Sequence, residues 1–237
     1  VYDCRRPTGG PRWRCKACRG DFLLTSGTLF AFHKLPLVMY LAAVLIFVNE
    51  VKGKSALALS RDLGVQYKTA FVLAHKIREA MAGEIRGATV GGEGKTAEID
   101  GAYFGGHVRP ENEKSQRKDR RRSENQSGKR RCVVVVRERG GRTVTGVFPS
   151  EDAAGPFIRN RVSQGTAVHA DEAAAWNPLH ARFEMHRINH QKAYSFDGAC
   201  TNQAESYFSR LRRAEAGHHH HIAGPYLHRY AQEAAFR

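Results

Sequence analysis

Three acidic residues stand where a carboxylate can do chemistry: Asp100, Asp171 and Glu205. Asp100 ends a short apolar run in TAEIDGAYFGG, with aromatic residues and glycines directly after it. A carboxylate at a strand end, beside backbone that can come close, suits a hard cation. Asp171 follows TAVHA, a second short strand, and Glu205 lies in TNQAESYFSRLRRAEA, whose apolar stripe Ala204, Tyr207, Phe208, Leu211 marks a helix. Three carboxylates at one sheet edge could hold two Mg²⁺ ions about 3.5–4 Å apart, the arrangement for in-line phosphoryl displacement. Taken singly, each acid also has an ordinary reading: an Asp beside Gly opens a turn, and surface acids pair with arginines.

The elements that must position these residues are legible in order. Val90 to Gly94 reads as a glycine linker, followed by the strand that carries Asp100. Residues 105–131 are polar and highly charged, and are expected to form a mobile loop. Its run Arg120, Arg121, Arg122 suits backbone phosphates, or is simply solvated. CVVVV at 132–136 and RTVTGVF at 142–148 predict a hairpin. A helix over 153–162, starting or breaking near Pro156, leads to the strand that delivers Asp171. A further helix near Trp176 and a short strand over 185–189 come next, then a loop over 191–199. The late helix starts at Thr201 or Asn202, either of which can cap it. Strands in series, a helix, a strand and a late helix build a mixed α/β sheet flanked by helices, with the Asp100 strand central.

Upstream, Leu35 to Val48 is apolar but too short to span a bilayer, and predicts a buried helix. Residues 55–64 form a short amphipathic helix closed by Gly64, and 65–81 a second helix. Helix, glycine turn, helix is the helix-turn-helix pattern, which sets Tyr67, Lys68 and Thr69 against base edges. A plain helical hairpin has the same pattern. In residues 1–33, Cys15 and Cys18 have the spacing of one zinc knuckle, with Cys4 and His33 as the available completing ligands.

The formal net charge is +15 and the pI near 10.0, which favours nucleic acid over a membrane surface as partner. The start of the chain has no signal-peptide pattern, and five cysteines, an odd number, argue against a disulfide framework. A cytosolic protein with reduced thiols is expected.

Together the motifs resemble those of bacterial insertion-sequence transposases with a DDE catalytic domain, in the ISXO-like group that carries an N-terminal zinc ribbon. RWRCKACRGDFLLTSGTLF resembles the second knuckle of that ribbon, and SRDLGVQYKTAFVLAHKIREAM the helical DNA-binding region. EIDGAYFGG, VHADEAAAW, INHQKAY, TNQAESYFSRLRR and GHHHHIAGPYLHRYAQEAAFR resemble catalytic-domain motifs in the same order, so the run His218 to His221 reads as native.

The resemblance implies a partial zinc ribbon at 1–33, a helix-turn-helix region at 34–89 and a ribonuclease-H-like catalytic domain at 90–237. It implies Asp100 and Asp171 as the first two Mg²⁺ ligands and Glu205 as the third, with Asn202 the alternative. Asn189 and His190 match a supporting motif. Mn²⁺ is a possible substitute for Mg²⁺, and Zn²⁺ belongs to the complete ribbon. The first knuckle is absent, and Gly101 stands where relatives often carry an acid. The implied activity is metal-dependent cutting of transposon ends in double-stranded DNA and joining of their 3′-hydroxyls to target DNA. Arg210, Arg212 and Arg213 would neutralise phosphates, and a homo-oligomer would assemble on DNA in the bacterial cytoplasm, at the nucleoid. The rival readings are a ribonuclease-H-like nuclease without strand transfer, and a decayed transposase that only binds DNA.

Overall fold

A computed structural model describes residues 1–5, 11–32, 34–105, 111–119, 125, 128–189 and 200–237. The chain divides into two compact units, Val1–Glu50 with Ala56–Ala80, and Val51–Ser55 with Met81–Arg237.

In the first unit, β1 (Tyr2–Arg5), β2 (Pro11–Arg14) and β3 (Asp21–Phe22) form an antiparallel meander. Three helices follow: α1 (Leu37–Asn49), α2 (Ala56–Leu63) and α3 (Tyr67–Ile85), the last running past the division at Ala80. Gly64 turns α2 into α3 with φ of 62°, as its place in the sequence requires. The expectation of a buried α1 holds for one stripe only. Tyr40, Ala43 and Phe47 are buried, whereas Leu37, Val38, Leu41, Leu45 and Val48 are exposed. An apolar surface all round a helix cannot be covered by a partner on one side.

The second unit is built on a five-stranded sheet ordered β6-β5-β4-β7-β8. These are β4 (Thr96–Phe104), β5 (Arg131–Glu138), β6 (Thr143–Phe148), β7 (Ala167–Asp171) and β8 (Glu184–Ile188). β4, β5 and β6 pair antiparallel, while β7 and β8 run parallel to β4. The β4–β5 ladder continues to Phe104 opposite Arg131, so the polar segment between them leaves and re-enters at paired positions.

Strand alternation sorts the core into two layers. Ala97, Ile99, Val134, Val136, Val168 and Ala170 pack under α4 (Gly155–Arg161) and the 3₁₀ helix Ala174–Ala181. Ala102, Phe104, Val133 and Val135 pack under α5 (Asn202–Ala214) and α6 (Leu227–Phe236). The segment that contains Trp176, Ala174–Ala181, is a 3₁₀ helix with Pro178 inside it.

The glycine stretch is no linker. Val90 is buried, bridges Val162 and exchanges backbone bonds of 2.8 and 2.9 Å with Arg161 and Ser163. Gly91, at φ of 82°, lies so close to Thr166 that a Cβ there would overlap its Oγ1. Close approach, and not freedom, is what the glycine serves.

Candidate active site

Register sets the first two acids. β4 and β7 pair Glu98 with His169 and Ile99 with Ala170, and the next step along the two strands reaches Asp100 and Asp171. Both acids therefore fall on the sheet face that α5 covers. Glu205 is in the first turn of α5, and Thr201 Oγ1 donates to its Oε1 at 3.4 Å.

The three acids are within electrostatic reach of one another. Burial pushes the Asp100 carboxyl up to about 7, and the charges of Asp171, Glu205 and Glu151 push the same way, while the Gly101 N–H, 2.7 Å from Oδ1, opposes them. Asp171 is held from three sides. Trp176 Nε1 donates to Oδ1 at 2.7 Å, the Ala173 N–H donates to the same oxygen at 3.2 Å, and Arg187 Nε grips the backbone carbonyl at 2.6 Å.

Glu151 is the acid that sequence reasoning missed. It lies between β6 and α4, and burial, then Asp171 and Asp152, raise its carboxyl above the usual range. A Cβ on residue 101 would meet its Cγ at 2.7 Å and its Oε1 at 2.9 Å, so Gly101 makes the room Glu151 occupies. The signal in the sequence was the glycine itself, the residue after Asp100.

Hard carboxylate oxygens match Mg²⁺, and an acid crowded by three others is ionised more readily once a cation is present. The donor set therefore fits the ion that the sequence implies. Among the described residues, however, no three of His, Cys, Asp or Glu are closed up into a metal-holding group.

Asn202, the alternative third ligand, is exposed at the first position of α5. Asn189 donates to Glu172 Oε2 at 2.6 Å, while His190 lies outside the described residues. Arg120, Arg121 and Arg122 also lie outside them. Arg212 and Arg213 are exposed, but Arg210 differs from them: its Nε is buried without a hydrogen-bond partner among the described residues. Tyr67 and Lys68 are exposed at the start of α3, and Thr69 is half-buried. His219 packs edge-on against Tyr230, ring centres 4.6 Å apart. Cys15 and Cys18 flank the β2–β3 turn, where the Cys18 and Ala17 N–H groups lower the Cys15 thiol. The side chains of Cys4 and His33 are outside the described residues.

A mixed five-stranded sheet with helices on both faces and acids on its central strands fits a ribonuclease-H-like α/β fold, a class that acts on nucleic acid. Residues 91–237 match the ISXO2-like transposase domain family, and the chain belongs to it. That membership makes it a DNA-processing protein of transposase type. No curated protein matches the chain. Among the described residues, no helix is long and apolar enough to cross a membrane.

Proposed function

We propose that the chain cuts DNA at transposon ends and joins the freed 3′-hydroxyls to target DNA, with Asp100, Asp171 and Glu205 holding two Mg²⁺ ions. The observation that supports the reading is the placement of Asp100 and Asp171 side by side on paired strands, on the face that the first turn of α5, with Glu205, covers. Bound Mg²⁺ would activate the attacking oxygen and neutralise charge on the phosphate. The chain's own part is to give the buried Asp100 carboxylate the Gly101 N–H as a donor, to hold Asp171 in one orientation through Trp176 and Ala173, and to present Glu205 from a fixed helix end. Glu205 is preferred to Asn202 as third ligand, because Glu205 acts on Asp100 whereas Asn202 is exposed.

Around this centre, Tyr67, Lys68 and Thr69 would read the terminal repeats, and Arg212 and Arg213 would contact phosphates, helped by Arg120, Arg121 and Arg122. Arg210 is retained with a different part, since its Nε is buried. Zn²⁺ would be held by Cys15 and Cys18, whose turn favours the thiolate at Cys15. Joining two ends in one event calls for a dimer or larger assembly on DNA.

A strand-transfer assay tests the reading. It uses labelled DNA with the flanking repeats of the element, a supercoiled target, and wild type beside Asp171→Asn, with Mg²⁺ or with a chelator. Joined product that needs both the metal and Asp171 is expected. Nicks without joining would favour a plain nuclease, and binding without either product a decayed enzyme.

A further inference from the structure

We propose that Glu98 is a positioning residue: its carboxylate docks the N-terminus of α5 onto the strand that carries Asp100, and so fixes Glu205 against the two aspartates. The inference rests on the metal-site reading above.

Glu98 is 1% exposed, two residues before Asp100 on the same face of β4. A buried carboxylate is tolerated only when it is paired and hydrogen-bonded. Its Oε2 accepts the Gln203 N–H at 2.7 Å and the Ala204 N–H at 3.1 Å. Those are the second and third residues of α5, whose N–H groups have no partner within the helix. Thr201, in the capping position, makes no side-chain cap bond. The cap therefore comes from a strand about a hundred residues upstream, and its negative charge faces the positive end of the helix dipole. A cap borrowed from another element does more than stabilise a helix, because it ties that helix to the element.

The other oxygen extends the tie to β7. Arg139 Nε donates to Oε1 at 2.8 Å, and Arg139 Nη2 reaches both His169 Nδ1 and the Cys200 carbonyl at 3.1 Å. The Cys200 N–H donates to the same Nδ1 at 3.2 Å. With Arg139 and the Cys200 N–H both directed at Nδ1, that nitrogen is the acceptor and the ring carries its proton on Nε2. Glu98 and His169 are partners across the β4–β7 ladder, each two residues before an aspartate of the site. One buried network thus joins both aspartate strands and the helix end that leads to Glu205.

Mn²⁺ titration of the full chain, read from the free-ion spin-resonance signal, tests this with wild type, Glu98→Gln, Glu205→Gln and the double variant. Melting is checked for each, so that binding is compared between folded proteins. Glu98→Gln should weaken Mn²⁺ about tenfold, as outer-shell changes do. The double variant should bind no more weakly than Glu205→Gln alone, because Glu98 acts through Glu205. If Glu98→Gln does not stay folded, Arg139→Gln replaces it, leaving both bonds from α5 to Glu98 intact, with a smaller loss in the same direction expected. Losses that add in the double variant, or a Glu98→Gln (or Arg139→Gln) protein that binds Mn²⁺ like wild type while Glu205→Gln does not, would overturn the positioning role and leave the metal site standing. If Glu205→Gln binds Mn²⁺ like wild type, the metal-site reading itself falls, and the positioning role with it.

Discussion

The Trp176 indole N–H reaches Asp171 Oδ1 across 2.7 Å, from a ring that is itself 1% exposed. A core aromatic thereby fixes the orientation of a site carboxylate. Trp176→Phe keeps most of the packing and removes only the donor. We expect a stability loss of about 1–3 kcal/mol in denaturant melts. DNA cleavage should fall further, by about tenfold or more at temperatures where the variant is folded. Cleavage that merely tracks the folded fraction would refute the link.

The Asp100 carboxyl, raised to about 7, gives a pH dependence with a definite sign. An acid whose folded pKa lies above its unfolded value contributes stability that is complete below the unfolded value. That contribution is lost as pH rises through the folded one. Between those two values the metal-free protein should lose stability with rising pH. Asp100→Asn should therefore raise its melting temperature by a few degrees near pH 8, and by much less near pH 4. In wild type, metal uptake must displace the proton, so apparent Mn²⁺ affinity should climb as pH passes about 7. A pH-independent affinity would contradict the shift.

Glu151→Gln removes one of the charges that raise Asp100. The midpoint of pH-dependent Mn²⁺ uptake should then move to lower pH, because Asp100 ionises more easily. An unmoved midpoint would place Glu151 outside the working site.

Glu205→Gln and Asn202→Ala separate the two candidates for third ligand. We expect the first to lower strand transfer by at least about 100-fold and the second by less than about threefold. The reverse ranking would make Asn202 the ligand.

Gly91→Ala should cost about 2–4 kcal/mol, since the position has φ of 82° and its Cβ would overlap Thr166. Chemical denaturation measures this directly. A neutral outcome would show that the 90–94 segment moves aside easily.

The strands and helices of the second unit were legible because their signals are local. β-branched runs gave β5 and β6, a period-3.6 stripe gave α5, and Asp171 fell at a strand end. Asp100 does not end its strand as its apolar run suggested, because β4 goes on pairing with β5 as far as Phe104. What could not be read were relations between distant segments. Nothing beside Glu98 in the chain announces that its partners are Gln203 and Ala204, so the cap of α5 was assigned to Thr201 or Asn202. Glu151 sits in a connection without periodicity, and only the space at Gly101 reveals its destination. The glycines at 91, 92 and 94 carried the composition of a linker, yet all three hold positive φ, and Gly91 also lies against Thr166. For α1, hydropathy measured how apolar the helix is, and could not say which side finds a partner.

Because Phe104 and Arg131 close the β4–β5 ladder, the basic segment between them is anchored at both ends to a rigid frame. Its length and its sequence can change without moving Asp100, Asp171 or α5. A change there would alter whatever phosphate contacts its arginines make under the proposed function, and leave the acids where they are. Under the proposed function, the strength of the grip on DNA and the act of cutting it would evolve on separate schedules.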